Sequence, residues 1–187
     1  MQDYQVLRHQ IEEYYQLSDQ EWEFVSQYFE YKKVKKNTHL ITEGQFVHEQ
    51  YFIISGVVRA YEIDENGKEF IIQFGKENWW ISDYNALINK TTSKINVECV
   101  LDCVLLSISR KDQEFLCLQM HQMANFFRKS TEQNFVFVQQ RLLSQMRETA
   151  EERYNSLLQR SPDLVQRVPK KLLASYLGVS KETLSRF

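Results

Sequence analysis

Glycine and proline are scarce: five glycines and two prolines in 187 residues. A chain so poor in both has no low-complexity linker between domains, and no internal repeat is present. Five scattered glycines also assemble no phosphate-cradling loop. Long apolar runs are missing, since no stretch approaches the ~20 residues of a membrane span. The polar, charged start from Met1 to Ser18 is not a secretory signal, so a cytoplasmic location is expected. Histidine is sparse. His9, His39, His48 and His121 form no close pair, which argues against a metal-dependent barrel enzyme built around His48-Glu49. No Ser-His-Asp set is present either, and neither an enzyme nor a bound metal or cofactor is expected. The three cysteines, Cys99, Cys103 and Cys117, lie in or near apolar stretches and read as free buried thiols of a reducing compartment.

What the chain does have is concentrated at its end. The net charge is only −2. From Val165 to Phe187, however, Arg167, Lys170, Lys171, Lys181 and Arg186 stand against Glu182 alone, a local charge of +4. Within that basic end, Leu172, Leu173, Tyr176 and Leu177 recur at helical spacing. Gly178 is placed to end the helix in a left-handed conformation. Ser180 is a good N-cap for a second helix, with Glu182 and Thr183 in its first turn and Leu184 facing back. A helix, a tight turn and a second helix with a polar, basic outer face make a helix-turn-helix, a device for reading a DNA major groove.

The run A-x-x-L-G-V-S-x-E-T-L-S-R closely resembles the helix-turn-helix of the Crp/Fnr family of bacterial transcription regulators. The resemblance implies that Lys181, Glu182 and Arg186 face the bases, and the expected DNA-binding set is Lys170, Lys171, Ser180, Lys181, Glu182, Thr183 and Arg186. A lysine at position 181 keeps the charge but lacks the planar fork suited to guanine. The chain stops at Phe187, about two turns into the second helix. Either the sequence is clipped or the reading helix is short.

In chain order, 1–31 reads as helical, with Val6, Ile11, Tyr14 and Tyr15 on one stripe. Ser18 and Glu21 form a capping box ahead of Trp22, Val25 and Phe29. From Val34 to Ser109 the period changes to that of strands. Glu43-Gly44-Gln45, Ser55-Gly56 and Asp64-Glu65-Asn66-Gly67 mark turns, the last a strong hairpin signal. Strands are expected at 51–54, 57–61, 70–74, 95–100 and 104–108, in a roll or jelly-roll arrangement. Helix returns at Arg110–Met120, then a long helix at Met123–Met146 with Phe126, Phe127, Phe135, Val138 and Leu142 near one side. A further helix at Glu148–Arg160 turns Tyr154, Leu157 and Leu158 inward.

The order T-E-G-Q, I-S-G-V-V-R-A-Y, E-N-G-K-E is similar to the cyclic-nucleotide-binding β-roll of the same family. The expected fold class is therefore α+β: N-terminal helices, a β-roll sensor (1–120), a long dimerisation helix (121–147) and a C-terminal winged-type helix-turn-helix domain (148–187). The resemblance implies a homodimer through Phe127, Asn134, Val138 and Leu142, with double-stranded DNA and RNA polymerase as partners. In cyclic AMP-binding members a glycine-glutamate pair and an arginine hold the nucleotide. Here Ile81-Ser82-Asp83 replaces the pair, and Ser93 and Lys94 stand near the arginine's place. Tight cyclic AMP binding is not expected, because the charge-assisted fork is missing. Trp79, Trp80, Asp83, Ser93 and Lys94 are the candidate lining for an effector, unknown or none. Trp79 and Trp80 read equally as core. The rival reading is a small-molecule-sensing or protein-interaction roll with weak DNA binding.

Overall fold

The computed structural model describes residues 2–187. Two short helices open the chain, α1 (Gln2–Glu12) and α2 (Asp19–Ser26). Ser18 caps α2 as expected: its hydroxyl accepts from the Glu21 amide while the Glu21 carboxylate takes the Ser18 amide. Leu7 and Ile11 of α1, with Trp22 and Val25 of α2 and Phe29 just after it, are buried. The helical reading to Tyr31 is corrected here. Residues 30–34 form strand β1 (Glu30–Val34), because they pair antiparallel with the last strand of the roll. A long-range ladder overrides the local pattern.

Seven further strands follow: β2 (His39–Ile41), β3 (Glu49–Ser55), β4 (Val58–Ile63), β5 (Glu69–Gly75), β6 (Trp80–Ile81), β7 (Asn96–Cys99) and β8 (Cys103–Ser109). One six-residue helix, α3 (Tyr84–Asn89), lies between β6 and β7. They build two four-stranded antiparallel sheets, ordered β1-β8-β3-β6 and β2-β7-β4-β5. Ile41, Ile53, Val58, Val97 and Leu105 fill one cluster of the roll's interior. The β4–β5 hairpin turns at Gly67, as expected, with Asp64 accepting the amides of Asn66 and Lys68. At Gly56 no other residue fits. Its φ is +107°, and a Cβ there would stand 2.5 Å from Cys103 Sγ and 2.7 Å from the Asp102 carbonyl.

Helices complete the chain: α4 (Arg110–Gln119), α5 (His121–Arg147), α6 (Ala150–Arg160), α7 (Pro162–Arg167), α8 (Lys170–Leu177) and α9 (Lys181–Leu184). With 27 residues, α5 spans about 40 Å at ~1.5 Å per residue. Its first part is bolted to the roll: Met123, Phe126 and Phe127 are buried among Trp22, Phe52, Trp80 and Leu116. Its second part leaves Phe135, Val138, Leu142 and Met146 exposed.

Two expectations change accordingly. Phe127 does not sit on an open face of α5. Its ring meets Trp80 edge-on at 5.6 Å and Phe126 at 5.2 Å, inside the chain's own core. Leu158 of α6 points outward, 41% exposed, while Tyr154 and Leu157 pack inward. Helix α8 lies against β5, and residues of α7 and α9 join the same apolar cluster. Leu164, Val168, Leu173, Ala174, Leu177 and Leu184 share a cluster with Val57, Tyr61, Ile71 and Phe74. Among the described residues no strand follows β8, so the strand pair of a wing is missing from this stretch.

Candidate nucleic-acid face and ligand cavities

The last two helices take the arrangement that their residues dictate. Pro169 precedes α8, and Leu173, Ala174 and Leu177 bury its inner face. Gly178 ends α8 at φ +74°, a left-handed conformation that glycine adopts without a Cβ penalty. Ser180 then caps α9, its hydroxyl accepting from the Thr183 amide at 3.1 Å. Leu184 closes the pair from inside. Lys170, Lys171, Ser180, Lys181, Glu182 and Arg186 are exposed, while Thr183 is half-buried. Among the described residues, none of Lys170, Lys171, Lys181 and Arg186 is in an ion pair. The outer face of α8–α9 thus carries free cations beside one carboxylate.

Polar contacts reinforce the seating of this unit on the roll. Arg167 forks onto Glu77 at 2.7 and 2.9 Å. Burial alone would raise the Glu77 carboxyl, but Arg167 and the amides of Glu77 and Gly56 outweigh it and bring it down to about 2. Lys76 reaches Asp163 at 2.9 Å, and the Ser175 hydroxyl donates to the Glu69 carbonyl at 2.7 Å.

The expected effector residues do not form one group. Asp83 caps α3 through the Ala86 amide, and its other oxygen accepts the Ser93 hydroxyl at 2.8 Å. Both side chains are buried and satisfy one another. Lys94 is exposed. Trp79 and Trp80 lie elsewhere, at a cavity of about 470 Å³ between the roll and α5. Trp80 is core, meeting Phe29 and Phe52 at a tilt and Phe126 and Phe127 edge-on, with its indole N–H donating to Gln10 at 3.2 Å. Trp79 meets Phe137 edge-on at 4.6 Å. Gln50 also lines this space, and its buried amide nitrogen has no acceptor among the described residues. Gln50 carries no local motif that a sequence reading could single out. Asn134 lines the same cavity, half-buried.

Four of the exposed apolar residues of α5 share one stripe. Phe135, Val138, Leu142 and Met146 recur at steps of three and four, and are 66%, 48%, 59% and 75% exposed. That spacing is the stripe by which one helix packs along another. Among the described residues no helix is long and apolar enough to cross a membrane. No group of three or more histidine, cysteine or acidic side chains there could hold a metal ion.

Residues 31–120 match the family model of the cyclic nucleotide-binding domain. No curated protein sequence matches the chain. Solved structures share its fold. FixK2 from Bradyrhizobium japonicum superposes with a TM-score of 0.72 at 21% identity, over 84% of this chain and 81% of that one. A putative transcriptional regulator of the Crp/Fnr family from Eubacterium rectale gives 0.70 at 16% identity, over 91% and 81%. The c-di-GMP-responsive global regulator CLP of Xanthomonas campestris gives 0.65 at 14%, over 87% and 86%.

Proposed function

We propose that this chain, whose roll is of the cyclic nucleotide-binding type, is a DNA-binding transcription regulator of the Crp/Fnr type that works as a homodimer. The observation that carries the reading is the outer face of α8–α9, where Lys170, Lys171, Lys181 and Arg186 stand free of ion pairs beside a glycine-turned, serine-capped second helix. The fold shared with regulators supports it. The second half of α5 supplies the dimer seam through Val138 and Leu142, with Phe135 and Met146 added and Phe127 removed. Two copies present two α9 helices, which suits a two-fold symmetric site.

In this reading the roll does not take cyclic AMP tightly. Asp83 and Ser93 are turned on each other, and no arginine stands at the place of the phosphate fork. An effector, where one exists, enters the cavity between the roll and α5 instead. Trp79 and Trp80 wall it and the Gln50 amide offers a free donor. The chain acts without catalysis.

A mobility shift at stated salt tests the reading. The double variant Lys181→Gln/Arg186→Gln is expected to lose DNA affinity, and its salt slope should fall by about 1 for each phosphate contact removed. Unchanged affinity and unchanged slope would contradict it.

A further inference from the structure

A second, smaller cavity of about 110 Å³ lies where β5, α5, α6, α7 and α8 meet. Its wall holds four cations, Lys76, Arg141, Arg153 and Arg160, and no carboxylate. Lys76 is spoken for by Asp163. Arg141 and Arg153 are not paired with any acid among the described residues; they reach only backbone carbonyls. Arg141 Nη2 donates to Ile71 at 3.1 Å and to Tyr176 at 3.4 Å, and its guanidinium lies 3.6 Å from the Tyr176 ring centre. Arg153 donates to the carbonyls of Glu148 at 2.6 Å and Leu177 at 2.8 Å. One N–H group of each, Arg141 Nη1 and Arg153 Nε, is sealed from solvent without an acceptor.

Two such orphans in one wall need an explanation, because a buried donor without a partner is costly, and more so on a charged group. The roll shows the ordinary solution. Arg59 is buried within the sheet and is neutralised by Glu69 at 2.5 Å and Glu98 at 2.6 Å. At the junction nothing plays that part. Burial pulls the Arg141 guanidinium below its ordinary value, Tyr176 opposes that, and the like charge of Arg153 adds to it.

We infer that this junction is a binding site for a small oxyanion, a phosphate group above all, which accepts from the Arg141 and Arg153 guanidinium groups together. Guanidinium donors and a tetrahedral or planar oxyanion make short, charge-assisted bonds. The Ser156 side chain on the same wall can add a hydroxyl donor, whereas the Ser144 hydroxyl already donates to the Glu148 carboxylate. The volume is well under the ~300–1,000 Å³ of a pocket that encloses a drug-sized ligand. It suits a free ion, or the charged end of a larger molecule whose remainder stays outside. Since the wall is drawn from the roll, the long helix and the C-terminal helices, the anion ties the three together. A ligand that binds only the docked arrangement stabilises it by mass action. The inference does not depend on the DNA-binding reading.

The test is thermal unfolding and calorimetric titration of the full chain with inorganic phosphate, against chloride at matched ionic strength. Sulfate and glycerol phosphate form parallel arms. Sulfate equal to phosphate marks a site for the bare oxyanion, and preference for glycerol phosphate marks the end of an organic ester. Wild type is expected to show a saturable rise in melting temperature. The control Lys36→Met, an exposed charge that is no part of the cavity wall, should keep it. Arg141→Met and Arg153→Met should each weaken binding about ten-fold or more, as loss of a charge-assisted bond implies. Arg153→Lys, which keeps the charge and loses the fork, serves if Arg141→Met does not fold, and should weaken phosphate as well. No saturable rise in wild type, or an equal rise in wild type and both arginine variants, would overturn the inference.

Discussion

The two halves of α5 look alike in sequence and meet opposite fates. The first half carries Met123, Phe126 and Phe127, all buried against the roll. The second carries Phe135, Val138, Leu142 and Met146, all left in the open. Both stretches are aromatic and aliphatic at helical spacing. The difference is what the rest of the chain brings to them. Trp22, Phe29, Trp80 and Leu116 converge on the first half, while among the described residues no such cluster covers Phe135, Val138, Leu142 or Met146. An apolar stripe therefore tells that a helix has a partner but not whose. Here the first half is bound within the chain, and the second half is where the proposed twin would lie.

The largest effect should come from the buried half. Phe126→Ala empties a fully buried ring site and is expected to cost about 3–5 kcal/mol of stability, read by denaturant unfolding. The equivalent Phe135→Ala should cost under ~1 kcal/mol in the isolated chain, since that ring is mostly exposed. Equal losses would erase the distinction between the halves.

The exposed half is probed by Val138→Glu with Leu142→Glu. Charges placed in the seam should weaken self-association by about 100-fold or more, because an unpaired charge is costly in a buried interface. The folded monomer should keep its unfolding midpoint. Sedimentation equilibrium reads the first outcome and thermal unfolding the second.

The same contrast explains what was legible in the sequence. Local signals are legible: the Ser18–Glu21 capping box, the Gly67 hairpin, and the Gly178 turn with its Ser180 cap all depend on residues within four positions of each other. Long-range pairing is not. Nothing local marks β1 as a strand, because its partner, β8, lies some seventy residues away. Two-residue β6 is too short for any period to register. The burial of Phe127 depends on Trp80 and Phe52, which helical spacing alone does not show. The mutual capture of Asp83 and Ser93, and the unpartnered donors of Arg141 and Arg153, are properties of the folded site that no spacing announces.

Beyond α5 the contact with the roll is partly ionic, which extends the comparison to a third region. Ser180→Ala should cost about 1 kcal/mol, confined to α9, by loss of its cap bond to Thr183. Local hydrogen exchange at residues 181–184 would register it while the roll stays unaffected.

A further effect, read through pH, is expected at Glu77. Its carboxyl sits at about 2 in the folded chain, below an ordinary value of 4.5. The stability it contributes is therefore complete above pH ~4.5 and is lost as pH falls toward 2. Glu77→Gln should flatten that part of the stability–pH curve relative to wild type. A parallel curve would mean that Arg167 and Glu77 do not hold the C-terminal helices to the roll.

The central claim is that two copies, joined along the exposed half of α5, present two α9 helices to one duplex. Selection of bound sequences from a random DNA pool by the intact chain tests it most directly. The account predicts a two-fold symmetric site whose half-sites lie about one or a whole number of helical turns apart, at ~10 base pairs per turn. A single asymmetric half-site, or no enrichment at all, would contradict it.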